Sequence, residues 1–199
     1  MMFQRFRFRQ FGVLLCFIML VILINSCKKS EPDDPNIIYK KIDKSVKAVF
    51  ANLPKVDSFD LNDDAHIDFK IAAISNAAAD TAVTIIFGES AAVYCDSAFV
   101  YSSFFFKVKN LYEQEIPDIY NGSKRWWDNV YVTQRSGSNK TGYAGVGDVY
   151  LPIIITISSP TDFHYGWLRV QAESDYRSLT VIDGAYHVQA NVPIKMGAK

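Results

Sequence analysis

The stretch His164-Tyr165-Gly166-Trp167-Leu168-Arg169-Val170-Gln171-Ala172 decides how the chain folds. Successive side chains of a strand point to opposite faces, so Gly166, Leu168, Val170 and Ala172 share one side and Tyr165, Trp167, Arg169 and Gln171 the other. The first set suits a core, and the second makes an amphipathic surface of aromatic and basic groups. Moving outward, runs rich in Val, Ile, Phe, Tyr and Thr occupy residues 67–74, 82–87, 92–95, 99–108, 129–134, 149–158 and 179–189. Turn formers separate them: Gly88-Glu89-Ser90, Asn121-Gly122-Ser123, Ser136-Gly137-Ser138-Asn139, Ser158-Ser159-Pro160 and Ser174-Asp175. Short strands at regular spacing, with few amphipathic helical windows, predict an all-β domain. An antiparallel β-sandwich is expected, with a barrel as the alternative. Residues 37–51 fit two patterns. Ile42, Val46, Val49 and Phe50 could share a helix face with Lys41, Lys44 and Lys47 turned away, yet the β-branched content suits a strand as well.

The amino-terminal 36 residues are different in kind. Arg5, Arg7 and Arg9 have no acid near them, and no charged side chain follows from Phe11 to Ile24. That is the positive region and apolar region of an export signal. At 1.5 Å per residue the apolar run covers roughly 21 Å, short of the ~30 Å a spanning helix must cross. Ile24-Asn25-Ser26-Cys27 resembles a bacterial lipobox. The resemblance implies cleavage before Cys27, a diacylglycerol on its thiol and a new amino terminus open to further acylation. Two or more chains hold a protein stably on a bilayer, whereas one gives marginal binding. The expected organisation is a lipoprotein signal peptide over 1–26, a lipid-anchored flexible linker over 27–36 and a single sandwich domain over 37–199. The linker composition, Lys28-Lys29-Ser30-Glu31-Pro32-Asp33-Asp34-Pro35, is charged and free of apolar anchors.

Composition narrows the function classes. The chain carries 21 basic and 21 acidic residues. Without the three signal-peptide arginines, 18 basic residues stand against 21 acidic, a net charge of −3, which offers no electrostatic case for nucleic acid. Of the three cysteines, Cys16 leaves with the signal and Cys27 takes the lipid, so Cys95 has no disulfide partner within the chain. Its setting, Ala91-Ala92-Val93-Tyr94-Cys95-Asp96, reads as a buried small hydrophobe, with no basic neighbour to activate a thiolate.

The sharpest local motif is Asp60-Leu61-Asn62-Asp63-Asp64-Ala65-His66-Ile67-Asp68. Asp60, Asn62, Asp64 and Asp68 fall on positions 1, 3, 5 and 9 of a calcium loop, with the His66 carbonyl at position 7, giving a hard Ca2+ ion its oxygen ligands. Ala65 stands where Gly favours the sharp turn, and Ile71 stands where a Glu is usual. A solvated acidic turn leading into the next strand is the other reading. No other cofactor is indicated. Trp126-Trp127 offers a platform for stacking on sugar rings. Adjacent strand residues point oppositely, so at most one of the two is exposed while the other joins the core. Trp167, on the aromatic face, is a third candidate for that role. Gly142-Tyr143-Ala144-Gly145-Val146-Gly147 lacks the Lys and helix of a phosphate loop and reads as a connection. His66, His164 and His187 lack the spacing of a helical zinc site, and no Gly-x-Ser-x-Gly elbow occurs. Glu113, Glu115 and Asp118 around Pro117 read as a charged loop.

Three segments carry a wider resemblance: Phe163-His164-Tyr165-Gly166-Trp167-Leu168-Arg169-Val170, then Leu179-Thr180-Val181-Ile182-Asp183-Gly184-Ala185-Tyr186, then Pro193-Ile194-Lys195-Met196-Gly197. Together with the Asp60–Asp68 loop, they resemble a pattern in uncharacterised surface or secreted lipoproteins of Bacteroidota. The resemblance implies a β-sandwich-like domain and an outer-membrane address, on the cell surface or the periplasmic face. It transfers no activity. Asp80-Thr81-Ala82 and Asp96-Ser97-Ala98 are similar to the O-glycosylation signal of that group, which implies Thr81 and Ser97 as acceptor sites.

Two functions are consistent with these observations. One is a non-enzymatic binding or structural module, held on the membrane by its lipid and offering an aromatic face or loops to a glycan or an envelope protein. The other is an envelope hydrolase acting on polysaccharide, which requires two carboxylates, or a His with a carboxylate, to meet in one cleft. The favoured reading is the first, with no catalytic residues assigned.

Overall fold

A computed structural model describes residues 34–49, 53–76, 78, 80–96, 107–108 and 126–199. The expected signal peptide, Cys27, Ser97 and the Glu113–Asp118 loop lie outside the described residues, as does the side chain of Cys95. The strands in chain order are β1 (Ile37–Lys47), β2 (Lys55–Phe59), β3 (Phe69–Ser75), β4 (Thr81–Gly88), β5 (Ala91–Asp96), β6 (Lys107–Val108), β7 (Trp126–Trp127), β8 (Asn129–Ser136), β9 (Asn139–Gly142), β10 (Asp148–Thr156), β11 (Phe163–Ala172) and β12 (Ser178–His187). No helix occurs among the described residues.

The strands form two antiparallel sheets. The larger runs β1-β12-β11-β10-β5-β6, with β7 also on β5, and the smaller runs β2-β3-β4-β8-β9. Neither sheet closes on itself, so the fold is a sandwich and the barrel alternative is set aside. The ambiguous segment 37–51 contributes β1, a strand pairing with β12 and carrying a bulge between Lys41 and Lys44. Asp43 sits in the bulge with φ +48°. The extra residue interrupts simple alternation, as a bulge does.

The inner faces of the two sheets supply one core. Phe69, Ile71, Ile86, Val130 and Val132 from the smaller sheet meet Leu151, Ile153, Leu168, Val170, Leu179 and Val181 from the larger. Burial of such side chains contributes about 1.5–3 kcal/mol each. On β11 the expected alternation is present, with Leu168, Val170 and Ala172 in this core and Tyr165 and Trp167 on the opposite side.

The opposite side is also buried. Tyr94, Ile154, Tyr165, Trp167 and Ala185 form a second cluster with Ile194 and Met196, which lie beyond β12 in the carboxy-terminal segment. Trp167 is 0% exposed, and its indole N–H donates to the Ala198 carbonyl (3.2 Å). Asp34 N–H donates to the Lys199 carbonyl (2.9 Å), tying the start of the folded body to this segment.

Gly166 is required where β11 crosses between its neighbours. A Cβ there would lie 2.4 Å from the Ala185 carbonyl oxygen and 3.1 Å from Ile153 Cγ1. Backbone cannot yield as a flexible side chain can. Gly166→Ala is therefore expected to destabilise by about 2–3 kcal/mol in chemical denaturation, whereas Ser138→Ala in an exposed hairpin turn should stay within about 0.5 kcal/mol.

Candidate binding cleft

The loop between β2 and β3 is built from its ends inward. Phe59 and Phe69 stack at 5.4 Å between centroids, and Asp68 N–H donates to the Phe59 carbonyl (3.2 Å), which closes the loop at its base. Leu61 is fully buried in the core and pins the first turn. The polar side chains then satisfy the backbone in sequence. Asp60 accepts from the N–H groups of Asp63 (2.7 Å) and Ala65 (2.8 Å), Asn62 from Asp64 N–H (3.1 Å), and Asp64 from His66 N–H (2.8 Å). The last of these bonds holds the Asp64 carboxyl below its ordinary value. Asp63 and Ala65 adopt left-handed backbone, at φ +61° and +69°. Lys40 of β1 donates to the Asp60 carbonyl (2.6 Å) and pairs with the Asp63 carboxylate.

Asp60, Asn62 and Asp64 each turn an oxygen toward a backbone N–H of their own loop. His66 turns its ring to solvent, 3.4 Å from Asp64. Asp68 faces the body instead. It is 0% exposed and accepts from Leu61 N–H (2.7 Å) and the Ser90 hydroxyl (2.7 Å). Burial raises its pKa above the ordinary carboxylate value, against the opposing pull of those two hydrogen bonds. Among the described residues, no three His, Cys, Asp or Glu side chains are grouped as metal ligands.

Asp68 belongs to a junction between the sheets. Gly88-Glu89-Ser90 carries the chain from β4 of one sheet to β5 of the other. Glu89 N–H donates to the Asp68 carbonyl (2.8 Å), and Thr156 at the end of β10 donates both its N–H (3.0 Å) and its hydroxyl (3.1 Å) to the Ser90 carbonyl. Beside this junction lies an open cleft of about 690 Å3. Residues 64–67 form one wall, the turn after β10 another, and Lys70, Glu89 and Ser90 also line it. Lys70 and Glu89 pair across 2.6 Å. Sequence reading assigned Gly88-Glu89-Ser90 only to a turn, because spacing does not reveal that Asp68 reaches it from another strand.

The aromatic candidates separate. Trp127 packs on the inner core and Trp126 on the outer cluster, at 5.2 Å from Tyr94 and 6.1 Å from Tyr165, so the adjacent pair does split across the sheet. Trp167 was expected on an exposed aromatic face. It is instead covered by the carboxy-terminal segment and offers no stacking surface. Thr81 opens β4 half-buried beside the exposed Asp80.

Among the described residues, His164 and His187 bond to backbone groups rather than to a carboxylate. His164 Nδ1 bonds the His187 carbonyl (3.0 Å), and His187 Nδ1 accepts from Gln189 N–H (3.1 Å). Asp183 is taken by Arg169 through two bonds (2.9 and 2.6 Å) and by the Tyr39 hydroxyl (2.9 Å). That pairing raises the Arg169 pKa further.

The raised pKa of Asp68 has a signed consequence. A carboxyl that binds its proton more tightly when folded contributes stability at low pH, and that contribution is lost as pH rises from the unfolded value, about 3.9, through the folded one. Asp68→Asn keeps an acceptor for Leu61 and removes this titration. Melting temperatures from pH 3 to 7 should therefore shift in favour of the variant, relative to the parent, as pH rises, and a constant difference would refute the assignment. No protein-family model matches the chain, and no curated protein or solved structure matches it either.

Proposed function

We propose that the chain is a membrane-anchored envelope lipoprotein of the outer membrane, at the cell surface or the periplasmic face, whose sandwich is a non-enzymatic binding or structural module. Its partner is a glycan or an envelope protein. The observation that carries the binding role is the open cleft of about 690 Å3, which presents the Lys70–Glu89 pair beside Ser90 and His66. Convergent polar groups in a concavity of this size suit a hydroxylated or charged ligand. The buried ionisable groups Asp68 and Asp183 are meanwhile held by structural hydrogen bonds. A hydrolase would need a carboxyl of raised pKa in the cleft as general acid. The carboxyl of raised pKa nearest the cleft, Asp68, is fully buried and held by the Leu61 N–H and the Ser90 hydroxyl rather than open to a ligand, which supports binding over catalysis.

The anchor rests on the lipobox at Ile24–Cys27. Cys27→Ser is expected to abolish both the lipid mass and the sedimentation of the protein with membranes. A native protein that retains Met1 and its arginines without lipid would refute the anchor.

The binding role is tested on a glycan array with residues 28–199. Binding that falls at least tenfold, about 1.4 kcal/mol, in Lys70→Ala with Glu89→Ala assigns the cleft. Calcium held by the Asp60–Asp68 loop is a second reading, which rests on the spacing of Asp60, Asn62, Asp64 and Asp68 in the sequence. Native mass measurement should then gain one calcium that Asp60→Asn with Asp64→Asn loses.

A further inference from the structure

The folded body begins at one end of the sandwich, and the cleft lies at that same end. Ile37 pairs with His187, Tyr186 with Gly166, and Phe163 with Thr156, so the start of β1, the end of β12, the start of β11 and the end of β10 lie side by side. Thr156 is bonded to Ser90, and residues 64–67 share the cleft with Ser90. Only seven residue steps separate Cys27 from Asp34, a reach of roughly 25 Å at full extension. The ten residues of β11 span roughly 33 Å. A lipid on Cys27 therefore limits this end to within roughly 25 Å of the bilayer, while the far end, with the Ser136–Asn139 turn, is free to lie roughly a strand's length farther away.

We infer that the cleft-bearing end docks on the headgroup layer of the membrane, with Ile67, Ile157 and Val188 as its apolar contacts. The inference rests on lipidation of Cys27. These three side chains are 43%, 37% and 39% exposed, and each sits just outside a strand at this end. Apolar exposure alone does not choose between the ends, since Val49, Leu53 and Val146 are exposed elsewhere. The tether chooses. The charge at this end narrows the lipid: Asp34, Asp60, Asp63, Asp64, Glu89, Asp128 and Asp162 outnumber Lys40, Lys70 and Lys199. A net negative surface is repelled by anionic headgroups over about a Debye length and accepts zwitterionic ones. A ligand in the cleft is then taken up from the layer next to the bilayer, and the far end is what the surroundings meet.

The test uses the full lipidated chain, purified from membranes and placed in phosphatidylcholine vesicles that carry a lipid-borne nitroxide quencher. In a Cys95→Ala background, a fluorophore is attached to Ile67→Cys or, for comparison, to Ser138→Cys at the far end. Quenching several-fold stronger at residue 67 than at residue 138, and weaker when phosphatidylglycerol replaces part of the phosphatidylcholine, is the expected result. Equal or reversed quenching on protein of confirmed lipid mass overturns the docking and leaves the anchor standing. Absence of the lipid mass overturns both. Protection at residue 67 that depends on protein concentration in detergent assigns this end to a second copy, and also overturns the docking.

Discussion

Burial of β11 on both faces is the constraint that the rest of the fold obeys. An antiparallel sheet ordinarily covers one face and leaves the other to water. Here the inner face meets the smaller sheet, and the outer face carries Tyr165 and Trp167, too large and apolar to leave uncovered. The segment beyond β12 closes it with Ile194 and Met196, each worth about 1.5–3 kcal/mol when buried. The polar neighbours on the same face follow suit. Asp183, 1% exposed, takes two hydrogen bonds from Arg169 and one from Tyr39, and Lys199 lies 4.1 Å from the Tyr39 ring. A buried carboxylate this well supplied with donors costs little to keep, while removing one donor would leave charge without compensation.

The cleft depends on a different device, a hydrogen-bonded corner where the chain leaves one sheet for the other. Asp68 is held by Leu61 and Ser90, and Ser90 in turn by Thr156, so three strands from two sheets are fixed to one another by hydrogen bonds at the edge of the core. The loop above it is ordered by its own side chains, which turn toward backbone N–H groups. Ala65 at φ +69° takes up the left-handed conformation that Gly would adopt at less cost.

Much of this was legible in the residues. The alternation in residues 164–172 is an intrinsic property of one strand, and it located both faces correctly. What covers each face is not intrinsic. Trp167 read as exposed because its cover comes from Ile194 and Met196, nearly thirty residues later, in a segment with no strand pattern. β2 and β9 are short and polar, with sequences Lys-Val-Asp-Ser-Phe and Asn-Lys-Thr-Gly, and they are strands only because β3 and β8 supply hydrogen-bond partners. The spacing of the Asp60 loop was plain, but the inward turn of Asp68 toward Ser90 was not, since no local pattern encodes a contact across 22 residues.

The pairing of β1 with β12 joins the earliest described strand to the last. Closing a loop of that length carries an entropic cost that only the finished contacts offset, and topologies rich in such distant pairings fold slowly. Until residues 178–187 are present, β1 lacks its hydrogen-bonding neighbour and β11 lacks one of its two. A chain of this design therefore completes the pairing of β1 and of β11 only once its final strand is in place, although the smaller sheet needs no residue beyond Gly142 for its own hydrogen bonds.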